Sequence, residues 1–92
     1  MLTPSQIRMA RAALGWGVRD LAKRAGVAAN TVSRFENGSG AMVDTLVRIQ
    51  GALENAGVVF IPANHTGGPG VRLREASATK AKRRRRVSLL GK

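Results

Sequence analysis

Apolar residues recur at helical intervals through the first 55 positions and in short strand-like runs after them. Thr3 and Pro4 read as an N-cap and a first helical position, and Ile7, Ala10, Arg11 and Leu14 mark one face of the helix that follows. Gly15, Trp16 and Gly17 break it. Leu21, Ala22 and Ala25 repeat the helical spacing and stop at Gly26, a residue able to take positive φ and so to end a helix and redirect the chain. In the next helix Val32 and Phe35 face inward, while Asn30, Ser33, Arg34 and Asn37 fall on the opposite face. Asn37 and Gly38 end it, leaving backbone amides and a side-chain amide able to meet a phosphate. After Ser39 and Gly40, residues 41–55 carry a broad stripe of Val43, Leu46, Val47, Ile49, Ala52 and Leu53, wide enough to close a core under the two preceding helices. Gly51 inside this helix costs about 1 kcal/mol relative to Ala, which points to a close helix contact. Asn55 and Gly57 form the stop.

The pattern then changes. Val58, Val59, Phe60 and Ile61 form a β-branched and aromatic run ending at Pro62, and Val71, Arg72, Leu73 and Arg74 alternate apolar and basic groups as a half-exposed strand does. The eight residues 63–70 are too many for a two-residue hairpin turn. The two strands can pair within one chain, but a lone ribbon is marginal in water. It is therefore expected to find a third strand or the same ribbon of a second subunit, which makes Val58, Val59, Phe60, Ile61, Val71 and Leu73 the expected dimerisation residues. From Glu75 onward no sustained apolar stripe exists, and the tail is expected to be disordered.

Ninety-two residues suffice for one small domain, and the net charge of +11 is extreme for that size. It is unevenly spread: residues 1–71 hold seven Lys or Arg against four acids, and residues 72–92 hold nine against one. Counterion release from DNA or RNA is the simplest use for such an excess, although membranes and acidic proteins also exploit it. The tail, with Arg83, Arg84, Arg85 and Arg86 at its centre, reads either as an arm following phosphates or as a solubilising segment. The chain has no cysteine, so disulfides and thiolate metal sites are excluded and a reducing compartment fits. Its first residues lack the plan of a signal peptide and no apolar run is long enough to cross a bilayer, so a cytoplasmic, nucleoid-associated bacterial protein is expected. Three aromatic residues are too few for a base-stacking surface.

Candidate chemistry concentrates in the third helix. Asn can bond an adenine edge through two atoms and Arg a guanine edge, and the i,i+4 spacing of Asn30 and Arg34 aims both into one groove. Small Ala28 and Ala29 let the start of that helix approach closely. Arg11 on an apolar stripe needs a carboxylate, and Glu36 at the edge of the core face is the candidate; otherwise Arg11 snorkels to water. Arg8 is expected to be solvated or near a phosphate, and Trp16 to pack over the junction of the first two helices. Support for catalysis, metal or cofactor binding is absent: His65 sits without a second histidine or a cysteine in a glycine-rich loop, and the acids are scattered. Gly67, Gly68, Pro69 and Gly70 lack the strand-to-helix setting of a phosphate cradle, and Arg85-Arg86-Val87-Ser88 matches a basophilic kinase site only as a short pattern.

Leu21, Ala22, Gly26, Val27, Thr31, Val32, Ser33, Arg34, Phe35, Glu36, Asn37 and Gly38, with Arg11, Leu14 and Gly15 upstream, resemble the phage-repressor-like or XRE-type helix-turn-helix regulators over about residues 3–56. The resemblance implies a mainly α, four- to five-helix domain with Ala29, Asn30, Ser33 and Arg34 at base-reading positions and Asn37 at a phosphate-contacting one. It also implies an Arg11–Glu36 pair. Members usually carry a small hydroxyl and then Gln where this chain has Gly17 and Val18, which removes a helix cap and a phosphate contact and leaves anchoring to Arg19 or Lys23, with Ser39 nearby. The expected organisation is a DNA-binding domain at 1–57, a short β extension at 58–75 that mediates homodimerisation, and a basic tail at 76–92. The expected function is sequence-specific binding of double-stranded DNA, with repression favoured over activation. The alternatives are an antitoxin or anti-activator that mainly binds a partner protein through its strand edges, and a nonspecific chromosome-coating or RNA-binding protein driven by charge.

Overall fold

Four helices precede a two-stranded antiparallel sheet: α1 (Pro4–Leu14), α2 (Val18–Ala25), α3 (Ala29–Glu36), α4 (Val43–Asn55), β1 (Val58–Ile61) and β2 (Gly70–Leu73). These elements belong to a computed structural model in which residues 2–75 are described. Arg83, Arg84, Arg85 and Arg86, with the rest of the basic tail, lie outside the described residues. The mainly α fold with a short β extension is the one the apolar spacing calls for.

Helix boundaries follow from local chemistry. Thr3 caps α1 by accepting from the Gln6 N–H at 3.2 Å, while the Thr3 N–H donates to Gln6 Oε1 at 3.0 Å, a reciprocal box that satisfies two otherwise orphaned donors. At α2 the missing hydroxyl is offset from inside the helix: Asp20 Oδ2 accepts the Gly17 N–H at 2.8 Å. Gly26, at φ +73°, ends α2 and donates its N–H to the Ala22 carbonyl at 2.9 Å, and the chain turns there into α3.

Ile7, Leu21, Val32, Ile49, Leu53 and Val58 are fully buried, one or two from each of α1 to α4 and β1, and Ala22, Phe35 and Leu46 pack around them. Within α4 only the narrower line of Leu46, Ile49 and Leu53 enters this core. Val43 and Val47, expected on the inward stripe, are 63% and 59% exposed. The reason is geometric: at 100° per residue Val43 lies about a quarter turn and Val47 about a third of a turn from the Leu46, Ile49 and Leu53 line, and α2 with β1 needs only that line. Gly51 meets no close helix either, since nothing lies within 4 Å of the place a Cβ would take.

The ribbon pairs Val58 with Leu73, Val59 with Arg72, Phe60 with Val71 and Ile61 with Gly70. Its inner face packs against the same chain. Val58 is 2% exposed, and Phe60, Val71 and Leu73 pack against the core. Buried Gln6 pins the loop end of the ribbon, its Nε2 donating to the Ile61 carbonyl at 3.2 Å and the Gly70 carbonyl at 3.0 Å. The covering that a lone ribbon needs thus comes from its own helices, whereas the sequence pointed to a second subunit. Of the six residues expected to mediate dimerisation, Val59 alone is exposed, and Ile61 is half-buried.

Candidate nucleic-acid interface

Helix α3 has two sharply different sides. Val32 and Phe35 are buried, and Asn30 and Arg34, one turn apart, are exposed. Ala29 and Ser33 lie half-buried between them. Arg19 and Lys23, also one turn apart, are exposed on α2, and Asn37 and Ser39 are exposed just beyond α3. The expected base-reading and phosphate-binding residues of the described part therefore all reach the surface to some degree. An open groove runs beside α3, lined by Thr31, Arg34, Gly40, Ala41, Met42 and Thr45.

The end of α3 differs from expectation. The backbone amides there are used inside the chain: Asn37 N–H donates to the Ser33 carbonyl at 3.0 Å, Gly38 N–H to Phe35 at 3.0 Å and Ser39 N–H to Arg34 at 2.9 Å. They close a Schellman-type stop at Gly38, whose φ is +99°, and satisfy the last carbonyls of the helix. Only the side chains of Asn37 and Ser39 remain to meet a ligand.

The outward side of α3 is fixed by what grips its inner end. Arg11 Nε donates to Glu36 Oε2 at 2.7 Å, Arg11 Nη2 to Glu36 Oε1 at 2.8 Å, and Arg11 Nη1 to the Trp16 carbonyl at 3.1 Å. Glu36 is buried and Arg11 half-buried, and such a planar two-bond clasp sets the angle of α3 as well as its position. Donating these hydrogen bonds to the Glu36 carboxylate raises the Arg11 pKa above its ordinary value, against the lowering effect of burial. Arg8, expected to be solvated or near a phosphate, is exposed, and it also donates to the Glu36 backbone carbonyl and to Ser5 Oγ. Its signal in the sequence is faint, because the acceptor is a main-chain atom.

Trp16 is half-buried against the core with the Arg24 guanidinium 4.7 Å from its ring centroid. That occupies one cation of α2. Asp44 pairs with Arg48 at 3.4 Å on α4. Arg19, Lys23 and Arg34 take part in no ion pair among the described residues, so three cations on neighbouring helices keep their charge for an external anion.

Gln6 and Arg8 are the structurally important groups that sequence reasoning missed, whereas Asp20, read with the other acids as a capping, pairing or solvated group, does cap α2. Gln6 was detectable, since Thr3-Pro4-Ser5-Gln6 has the spacing of a capping box.

Among the described residues no group of three or more His, Cys, Asp or Glu could hold a metal ion, and no helix is long and apolar enough to cross a membrane. A comparison with curated proteins returns no match. A family model described as Helix-turn-helix matches residues 7–55, which runs from the first core residue of α1 to the last residue of α4. That span holds the buried face of α3, the Gly26 turn and the Arg11–Glu36 clasp, and it covers more than half of the chain. The chain therefore belongs to the helix-turn-helix family of the XRE type, a family of DNA-binding regulatory domains.

Proposed function

We propose that this protein is a sequence-specific transcription regulator that lays α3 in the major groove of double-stranded DNA. The observation that carries the reading is the exposure of Asn30 and Arg34, one turn apart, on a helix whose other face is locked into the core by Val32 and Phe35. Arg34 bonds a guanine through O6 and N7, Asn30 an adenine through N6 and N7, and Ala29 and Ser33 let the backbone approach. Arg19, Lys23, Asn37 and Ser39 hold phosphates on either side and set the register. The cations of residues 76–92, Arg83, Arg84, Arg85 and Arg86 among them, add affinity without sequence choice.

On this reading residues 1–57 form the DNA-binding unit, residues 58–75 extend it and residues 76–92 are the basic arm. The protein works as a homodimer on an inverted repeat, with two α3 helices roughly 34 Å apart, one duplex turn. It acts on the nucleoid in the cytoplasm. Repression follows most directly, because covering a promoter needs occupancy alone. Selection of binding sites from random duplex, followed by competition between the winner and random duplex at fixed salt, tests the proposal. A preference of about 10³ or more is expected, and equal binding refutes it.

A further inference from the structure

The outer side of α4 presents a combination that the fold itself does not use. Val43 and Val47, one turn apart at the N-terminal end of the helix, are 63% and 59% exposed, and Met42 just before them is 75% exposed. Val43, Val47 and Gly51 follow one another at i, i+4 and i+8, hence on one line along the helix. Nothing approaches Gly51 within 4 Å of a Cβ position, so the chain tolerates a mid-helix glycine with no internal packing to show for it. Along one flank of this line stand an acid and a base, Asp44 and Arg48, both largely exposed.

We infer that this line is a self-pairing surface on which a second copy of the chain docks, antiparallel, about a twofold axis near Val47. The pattern is complementary to its own reverse. With the axis at Val47, the two Val47 side chains meet, Val43 of each copy lies over Gly51 of the other, and the absent Cβ lets the helices approach closely. In an antiparallel pair like flanks face each other, which brings Asp44 of each copy within side-chain reach of Arg48 of the other. The intrahelical ion pair becomes a four-charge cluster with two bonds across the axis.

A face of half a helix from each copy falls at or below the ~1,200 Å² that marks the low end of specific interfaces, and two chains of +11 repel. The free dimer is accordingly weak, with a Kd of roughly 10–500 µM in moderate salt. DNA neutralises the repulsion and holds two copies together. The inference deepens the homodimer of the proposed regulator by naming its surface, but the surface belongs to the free chain and is testable without DNA.

Sedimentation equilibrium of the full chain without DNA, in about 0.3 M salt to shorten the reach of the net-charge repulsion, is the experiment. Self-association in the stated range is expected, and a monomer up to ~1 mM overturns the proposal. Val47→Lys should raise Kd at least about tenfold with an unchanged thermal melt, because the position is exposed; unchanged association overturns the proposal. Asp44→Arg leaves only cations at these two positions and Arg48→Asp only anions. Each variant alone should associate more weakly than the parent, and an equimolar mixture should associate more strongly than either. A mixture no better than its components overturns the antiparallel pairing, and loss of association in Val59→Lys would move the interface to the ribbon. Failure here leaves site selection by the monomer untouched, and failure of site selection leaves the sedimentation result standing.

Discussion

Arg11 clasps Glu36 through two hydrogen bonds of 2.7 and 2.8 Å, tying the last turn of α1 to the last residue of α3. Removing either partner strands the other in a poorly solvated place. Glu36→Ala or Arg11→Ala should cost about 2–4 kcal/mol in urea denaturation, while Arg11→Met with Glu36→Leu should cost less than either alone. The raised Arg11 pKa means that its share of the stability is complete below the unfolded guanidinium pKa and is lost only as pH rises through the higher folded value. Melts from about pH 7 to about pH 10 should show no loss traceable to Arg11 deprotonation.

On the outer face of the same helix, the exposed Arg34 side chain makes no hydrogen bond or ion pair among the described residues. Arg34→Ala should leave the melting temperature unchanged and weaken binding to the selected site by about 1–3 kcal/mol, with a much smaller loss on random duplex. Equal losses on both would make Arg34 a phosphate contact. Arg11 changes should act through stability and Arg34 changes through sequence choice, and filter binding beside a denaturation curve separates the two.

Gln6 holds the ribbon and should be felt there first. Gln6→Ala leaves the carbonyls of Ile61 and Gly70 without their side-chain donor and removes the return bond of the α1 cap. A loss of about 1–3 kcal/mol is expected. Native-state amide exchange should show β1 and β2 deprotected more than α2 and α3. Uniform deprotection would mean that the ribbon unfolds only with the whole domain.

Residues 76–92 carry seven Lys or Arg and no acid. Deleting them should weaken binding to the selected site and to random duplex alike and flatten the dependence of log K on log salt, since fewer counterions are released. A loss confined to the selected site would assign the tail a role in base reading.

The helices were legible because glycines punctuate the apolar spacing: Gly15, Gly26 and Gly57 each follow a helix and take positive φ. The polar face of α3 was legible for the same reason, as Val32 and Phe35 leave it only one orientation. The α4 stripe was read too wide. Six apolar residues on a 13-residue helix do not say which line the core will choose, and Val43 and Val47 lost to Leu46, Ile49 and Leu53. The ribbon was legible as two strands, but its cover was not, because the group that fastens it to α1 is a glutamine and carries no apolar signal. The contact from Arg8 to the Glu36 carbonyl and the amides spent at the end of α3 are main-chain bonds, which side-chain patterns do not encode.

Because Gln6 ties the last residue of β1 and the first of β2 to one amide group, the segment between them begins and ends at a fixed point. Its length has little bearing on anything beneath it, since enlarging a loop whose ends are already held adds only a slowly growing entropy. The hairpin tip around Thr66 and Gly67 is thus the place to graft a fluorophore, an affinity handle or a whole reporter domain while α3 keeps its angle.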